Sequence, residues 1–136
     1  MLKLIRDADK LDIFTVVLKA VETDGFRDLP DMRPHVTLDR SCSSELVQEI
    51  QNQRCCSLQN ITSLGDFLVM QLSWAYDLNY SPAFQRFSSR RVVSRILRQL
   101  PENSHAKQIG ATVQRFVAVR INNSNPLARE RRSYTE

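Results

Sequence analysis

The stretch IRDADKLDIF (residues 5–14) sets three aspartates among isoleucines, a leucine and a phenylalanine. At about 100° per residue the spacing reads as a helix, and the pattern carries it from Leu2 to Thr23. On that helix Asp9 shares a side with Ile5, Ile13, Val16 and Ala20. Asp7 falls beside Phe14 and Leu18, and Asp12 lies near Lys19 at the edge of a polar strip. Apolar residues surround the helix on nearly every face, which predicts that it is buried. A carboxylate with apolar neighbours one turn above and below must pair, neutralise or bind a cation. Two readings follow. Asp9 belongs to an acidic helix start, favoured by the helix dipole and paired with Lys10 or Arg6, or it is one ligand of a metal ion.

Outward from this stretch the chain keeps reading as helices. Gly25 ends the first one. Residues 25–43 hold Pro30, Pro34 and several aspartates and read as an ordered loop, of a length that often serves function. A helix is expected from about Ser44 to Gln53, with Leu46, Val47 and Ile50 inward. Another runs from Ser63 to about Asn79, opened by a capping box of Ser63 and Asp66. Its apolar stripe is Leu64, Phe67, Leu68, Leu72 and Ala75. Ser81 and Pro82 suit an N-cap and a first helical residue, and that helix extends to about Leu100, where Pro101 stops it. A last helix, about His105 to Ile121, carries Ile109, Val113, Phe116, Val117 and Arg120. Residues 122–136 are polar and charged and read as a disordered tail behind a single domain of residues 1–121.

Composition agrees with an all-α fold. The chain has 136 residues, with only 3 glycines and 5 prolines, too few for a turn-rich β architecture. No apolar run reaches the roughly 18 residues of a membrane span, so no membrane partner is expected. The charges of Leu2 to Phe14 do not fit a secretory signal. The cysteines Cys42, Cys55 and Cys56 are odd in number, which points to free thiols in a reducing, cytoplasmic setting. Zinc held by His35 and these cysteines is not expected, because adjacent cysteines are poorly spaced for tetrahedral coordination.

Charge is uneven along the chain. Residues 1–80 carry 8 basic and 12 acidic side chains, and residues 81–136 carry 11 basic and 3 acidic. The basic half can bind nucleic acid through its phosphates, or face the acidic half of its own domain or a partner. Arg91, Arg95 and Arg98 share a face of the expected helix, and Arg86 and Arg90 form an i, i+4 pair. Aromatic interleaving of the kind a single-strand platform uses is missing, so a nucleic-acid partner is not expected. Trp74, Tyr76 and Tyr80 read as packing residues. Trp74 and Asp77 are candidates for a pocket, with Asp77 equally suited to cap the following turn.

The run Ile5-Arg6-Asp7-Ala8-Asp9-Lys10-Leu11-Asp12 resembles the last motif of the HD-domain metal-dependent phosphohydrolases. Ala8-Asp9-Lys10-Leu11 matches that motif's core, and Gln71-Leu72-Ser73-Trp74-Ala75-Tyr76-Asp77-Leu78-Asn79-Tyr80 is similar to a bacterial HD subfamily. The likeness runs roughly from Leu2 to Leu100. It implies an all-helical HD-like bundle in which Asp9 is the final metal ligand. Arg6, Asp7, Lys10 and Asp12 would then support that ligand or contact phosphate. The family's divalent ion is held by a histidine, a His-Asp pair and the later aspartate, and its bound water attacks a phosphorus centre. This sequence contains no His-Asp pair, and His35 and His105 both follow Asp9. The chain thus resembles the C-terminal half of an HD domain without the histidine-bearing half.

These readings set two functional expectations. One is the C-terminal portion of an HD-type phosphohydrolase acting on a phosphate ester or nucleotide, inactive as this chain alone and not retaining metal by itself. The other is a half-domain that serves as a helical dimerisation or interaction module. Its partner would be a second copy or the missing N-terminal half.

Overall fold

In the computed structural model of the chain, residues 2–124 are described, and most of them are helical. In chain order these residues form α1 (Leu2–Asp24), α2 (Leu29–Met32), α3 (Ser44–Gln51), α4 (Leu64–Ser73), α5 (Ser81–Ser89), α6 (Val92–Leu97) and α7 (Ser104–Ser124). Two 3₁₀ turns, Leu58–Asn60 and Trp74–Asp77, join them. Among the described residues no strand forms, and Thr37 and Ser63 make an isolated parallel bridge. The all-α expectation is borne out at this level.

The core is built around α4, in which Leu64, Leu68 and Leu72 are wholly buried. Its start is clamped by the preceding loop. The N–H of Leu64 donates to the Thr37 carbonyl at 2.8 Å, and that of Gly65 to the Asp39 carbonyl at 3.0 Å. Two of the amides that a helix start leaves unpaired are satisfied in this way. Ser63 caps a third, accepting from the Asp66 amide at 3.0 Å as expected. The Asp66 side chain does not return to Ser63. It accepts from the amide and hydroxyl of Ser43 at 2.7 and 2.8 Å, and from the amide and hydroxyl of Thr62, both at 3.1 Å. One buried carboxylate thus ties the loop and the start of α3 to α4.

Aromatic contacts carry the packing outward. Phe14 of α1 lies 5.4 Å from Phe87 of α5 and 6.0 Å from Trp74, centroid to centroid. Phe26 meets Phe67 at 5.8 Å, and Phe116 of α7 meets Tyr76 at 4.8 Å. Such pairs add about 0.5–1.5 kcal/mol each beyond the area they bury. Trp74 therefore packs, as its sequence context indicated. From α7, Ile109, Val113 and Val117 turn inward, and the helix lies against α3, α5 and α6.

Several boundaries differ from the sequence reading, each for a local reason. The expected loop 25–43 contains the short helix α2, with Pro30 in its first turn. The helix from Ser63 stops at Ser73, whose hydroxyl donates back to the Met70 carbonyl at 2.6 Å and accepts the Cys56 amide at 2.9 Å. A hydroxyl bonded to its own preceding turn tightens the backbone there, and the chain continues as a 3₁₀ turn. The expected helix 82–100 breaks at Arg91, which is left-handed (φ 55°). The N-cap is Tyr80 rather than Ser81. Helix α7 continues to Ser124, past the expected boundary at residue 121. The expected tail from residue 125 onward lies outside the described residues.

The largest difference concerns α1. Leu11, Phe14, Val17, Leu18 and Val21 are buried, whereas Ile5, Ile13 and Val16 are 55%, 40% and 66% exposed. The helix lies across α5 and α6 and hides one side only, so the expectation of burial on every face is corrected.

Gly65 provides a test of the clamp. A Cβ at this position would sit 2.3 Å from the carbonyl oxygens of Arg40 and Ser41. Gly65→Ala would gain up to about 1 kcal/mol in an unobstructed helix. Here it is expected to lose about 2–3 kcal/mol through overpacking against backbone. A urea melt reads the sign directly, and a stabilised Gly65→Ala would refute the clamp.

Candidate functional site

The residues singled out in the first helix divide into three groups. Asp7 is 2% exposed. Its carboxylate accepts the Asn79 amide at 3.0 Å, the Asn79 side-chain N–H at 2.9 Å and the Tyr80 amide at 2.9 Å. Tyr80 is the N-cap of α5, so Asp7 caps that helix from more than seventy residues away. A carboxylate at this position satisfies orphan amides and lies at the positive end of the helix dipole.

Arg6 and Lys10 form the second group. Both reach Asp77, with Arg6 Nη2 at 3.0 Å and Lys10 Nζ at 2.9 Å from the same Oδ2. The local pair expected with Asp9 is not formed. Asp77 does not cap the turn that follows it, since Asp7 fills that role. Cys55 lies in the field of Asp77 and Lys10, and Trp74 shares the 3₁₀ turn with Asp77.

Asp9 and Asp12 make the third group. Both are exposed, and neither makes a hydrogen bond or ion pair with a described residue. The side of α1 that Asp9 shares with Ile5, Ile13 and Val16 faces outward. His35, in the loop before α3, and His105, in the first turn of α7, are likewise exposed. Among the described residues no three His, Cys, Asp or Glu side chains gather to hold a metal ion. A divalent ion needs several ligands in fixed geometry, so the described residues alone do not fit one.

Other polar residues were not visible as site candidates. Arg90 donates to the Leu11 carbonyl at 3.3 Å and the Thr15 hydroxyl at 3.1 Å. Arg95 Nε donates to Glu22 at 2.9 Å, and this bond holds the Glu22 carboxyl below its ordinary range. Arg90 and Arg95 of the basic segment thus bind α1. Gln71 is buried in α4, and neither its amide nitrogen nor its oxygen has a partner among the described residues. Such a group costs about 1–3 kcal/mol. The sequence signal was available here, as a glutamine flanked by Leu68 and Leu72 in an apolar stripe.

The surroundings of all three thiols disfavour the thiolate. Burial pushes Cys42 up to about 11 and Cys56 up to about 12. Burial also raises Cys55, with the Asp77 carboxylate adding to the effect. A nucleophilic cysteine needs the opposite setting.

Compared with known proteins, the chain matches no family model, no curated protein and no solved structure. Among the described residues the fold is an all-α bundle in which α1 buries one side and leaves Ile5, Ile13 and Val16 exposed. Among the described residues no helix is long and apolar enough to cross a membrane.

Two predictions separate the neighbouring aspartates and the thiols. Asp7→Ala removes a buried cap and is expected to cost about 2–3 kcal/mol in a urea melt. Asp9→Ala should stay within about 0.5 kcal/mol of wild type; equal losses would contradict their placement. Alkaline pH supplies the second. The folded thiols ionise above their ordinary value of 9.0. Their contribution is whole below about pH 9 and is lost as pH rises toward 11–12, because the unfolded chain releases its protons first. Stability should fall over that window, and the fall should be shallower in a Cys42→Ala, Cys56→Ala variant.

Proposed function

We propose that this chain is the C-terminal helical portion of an HD-type metal-dependent phosphohydrolase acting on a phosphate ester or nucleotide, and that it is inactive alone. The observation that supports this most is the setting of Asp9. The residue matching the family's final ligand is an unpartnered carboxylate on the outer side of α1, among the exposed Ile5, Ile13 and Val16. A row of exposed apolar side chains calls for cover, and a free carboxylate within that row is available to a metal whose other ligands arrive with the covering unit. Arg6 and Lys10 are less available, because a phosphate would have to displace Asp77 from them.

The same apolar row favours a second reading, in which α1 docks a second copy or another helical subunit without catalysis. Sequencing the coding DNA on the 5′ side of the Met1 codon separates the two. A frame that stays open into a His…His-Asp pattern supports the phosphohydrolase. A stop codon close upstream overturns it and leaves the interaction module.

The purified chain is expected to show only blank-level hydrolysis of p-nitrophenyl phosphate with manganese, and Asp9→Ala should match it. Metal-dependent turnover that Asp9→Ala abolishes would refute the proposed inactivity. If α1 self-associates, sedimentation at micromolar concentration should give a dimer, and Val16→Asp should return it to monomer. A wild-type monomer would refute self-pairing.

A further inference from the structure

A groove of about 380 Å³ lies between the α5–α6 corner and α7. Its apolar lining is Ala118 and the half-buried Ile121, above the nearly wholly buried Phe87 and Val117; its rim includes Ser88 and Gln114, and Arg91 stands at the corner. The lining carries no carboxylate. This volume and mixture fall at the small end of ordinary ligand sites, which are largely apolar with a few polar groups fixing orientation.

Arg91 shares a left-handed backbone with Phe26 and Gln53, and of the three it alone carries a charge. It is a left-handed residue (φ 55°, ψ 41°) at the junction of two helices. Glycine or asparagine meets that conformation at lower cost. Strain of this kind collects at functional sites, and arginine offers a cation that glycine would not. Arg90 and Arg95 spend their guanidinium groups on α1. The Arg91 guanidinium makes no hydrogen bond or ion pair with a described residue. An unneutralised cation at the edge of an apolar groove is complementary to a ligand with an alkyl body and an anionic head.

We propose that this groove binds a long-chain carboxylate, with its alkyl chain along Ala118 and Ile121 and its carboxylate on Arg91. This goes beyond the phosphohydrolase reading and does not depend on it, since the groove and Asp9 use different elements.

Isothermal titration calorimetry of the full chain with dodecanoate, kept below its micelle concentration, tests the proposal. Dodecyltrimethylammonium, with the same chain and the opposite charge, is the control. Saturable one-to-one binding of dodecanoate is expected, with none of the cationic surfactant. Arg91→Gly suits the left-handed backbone while removing the cation, and it should weaken dodecanoate binding about tenfold or more. Ala118→Trp, at an exposed lining position, should fill the groove and abolish binding with an unchanged thermal melt. Absence of saturable binding overturns the proposal, including the case in which residues beyond Ser124 occupy the groove. Equal uptake of the two surfactants, or wild-type binding by both variants, overturns it as well.

Discussion

The carboxylate of Asp7 sets the rotational phase of the first helix. Its hydrogen bonds to Asn79 and Tyr80 hold it inward, at the start of α5. Asp9 is two residues on, or about 200° around the helix, so seating Asp7 turns Asp9 outward. The same rotation places Leu11, Phe14 and Leu18 in the core and leaves Ile5, Ile13 and Val16 outside. Alone, a 23-residue helix with apolar side chains on most faces could settle in several orientations. The buried charge selects one, because an inward Asp9 would leave Asp7 without amides to accept and α5 without its cap.

A second set of ties reinforces that phase. Arg90 holds the Leu11 carbonyl and Thr15, and Arg95 holds Glu22. The contrast between an acidic first part and a basic last part of the chain thus resolves partly inside the molecule, where cations of α5 and α6 meet oxygens of α1. What read as a basic face in sequence is in part a set of internal clasps, and the cationic surface left for an outside partner is smaller than the residue count implies. Exposed pairs of this kind contribute about 0–1 kcal/mol each, so their effect is on orientation more than on stability.

The sequence was most legible where one local rule decided the outcome. The Ser63 cap, the turn at Gly25 and the inward face of α3 follow from short-range chemistry and stand as read. Phase and breaks were less legible. The apolar spacing of Ile5, Ile13 and Val16 competed with that of Leu11, Phe14, Leu18 and Val21, and each run carries an aspartate, Asp9 in the first and Asp7 at the head of the second, so charge did not separate them. The break at Arg91 has neither glycine nor proline to announce it, and it arises because α5 and α6 must pack in different directions, on α1 and α7 and on α1, α4 and α7. For the site, proximity in sequence misled. Arg6 and Lys10 seemed natural partners for Asp9, yet a residue some seventy positions away takes both.

That pairing also limits where chemistry can sit. Asp77 is shared by two cations and is itself about 40% exposed, whereas Lys10 retains only 14% exposure. Moving Asp77 away would leave the half-buried Lys10 without the anion it now meets, in a pair open to water on the Asp77 side. A ligand phosphate could replace Asp77 only by meeting Lys10 and Arg6 together, in the same position. Asp9, by contrast, makes no hydrogen bond or ion pair with a described residue. The buried carboxylates Asp7 and Asp66 are spent on holding the fold, whereas Gln71 has no partner among the described residues.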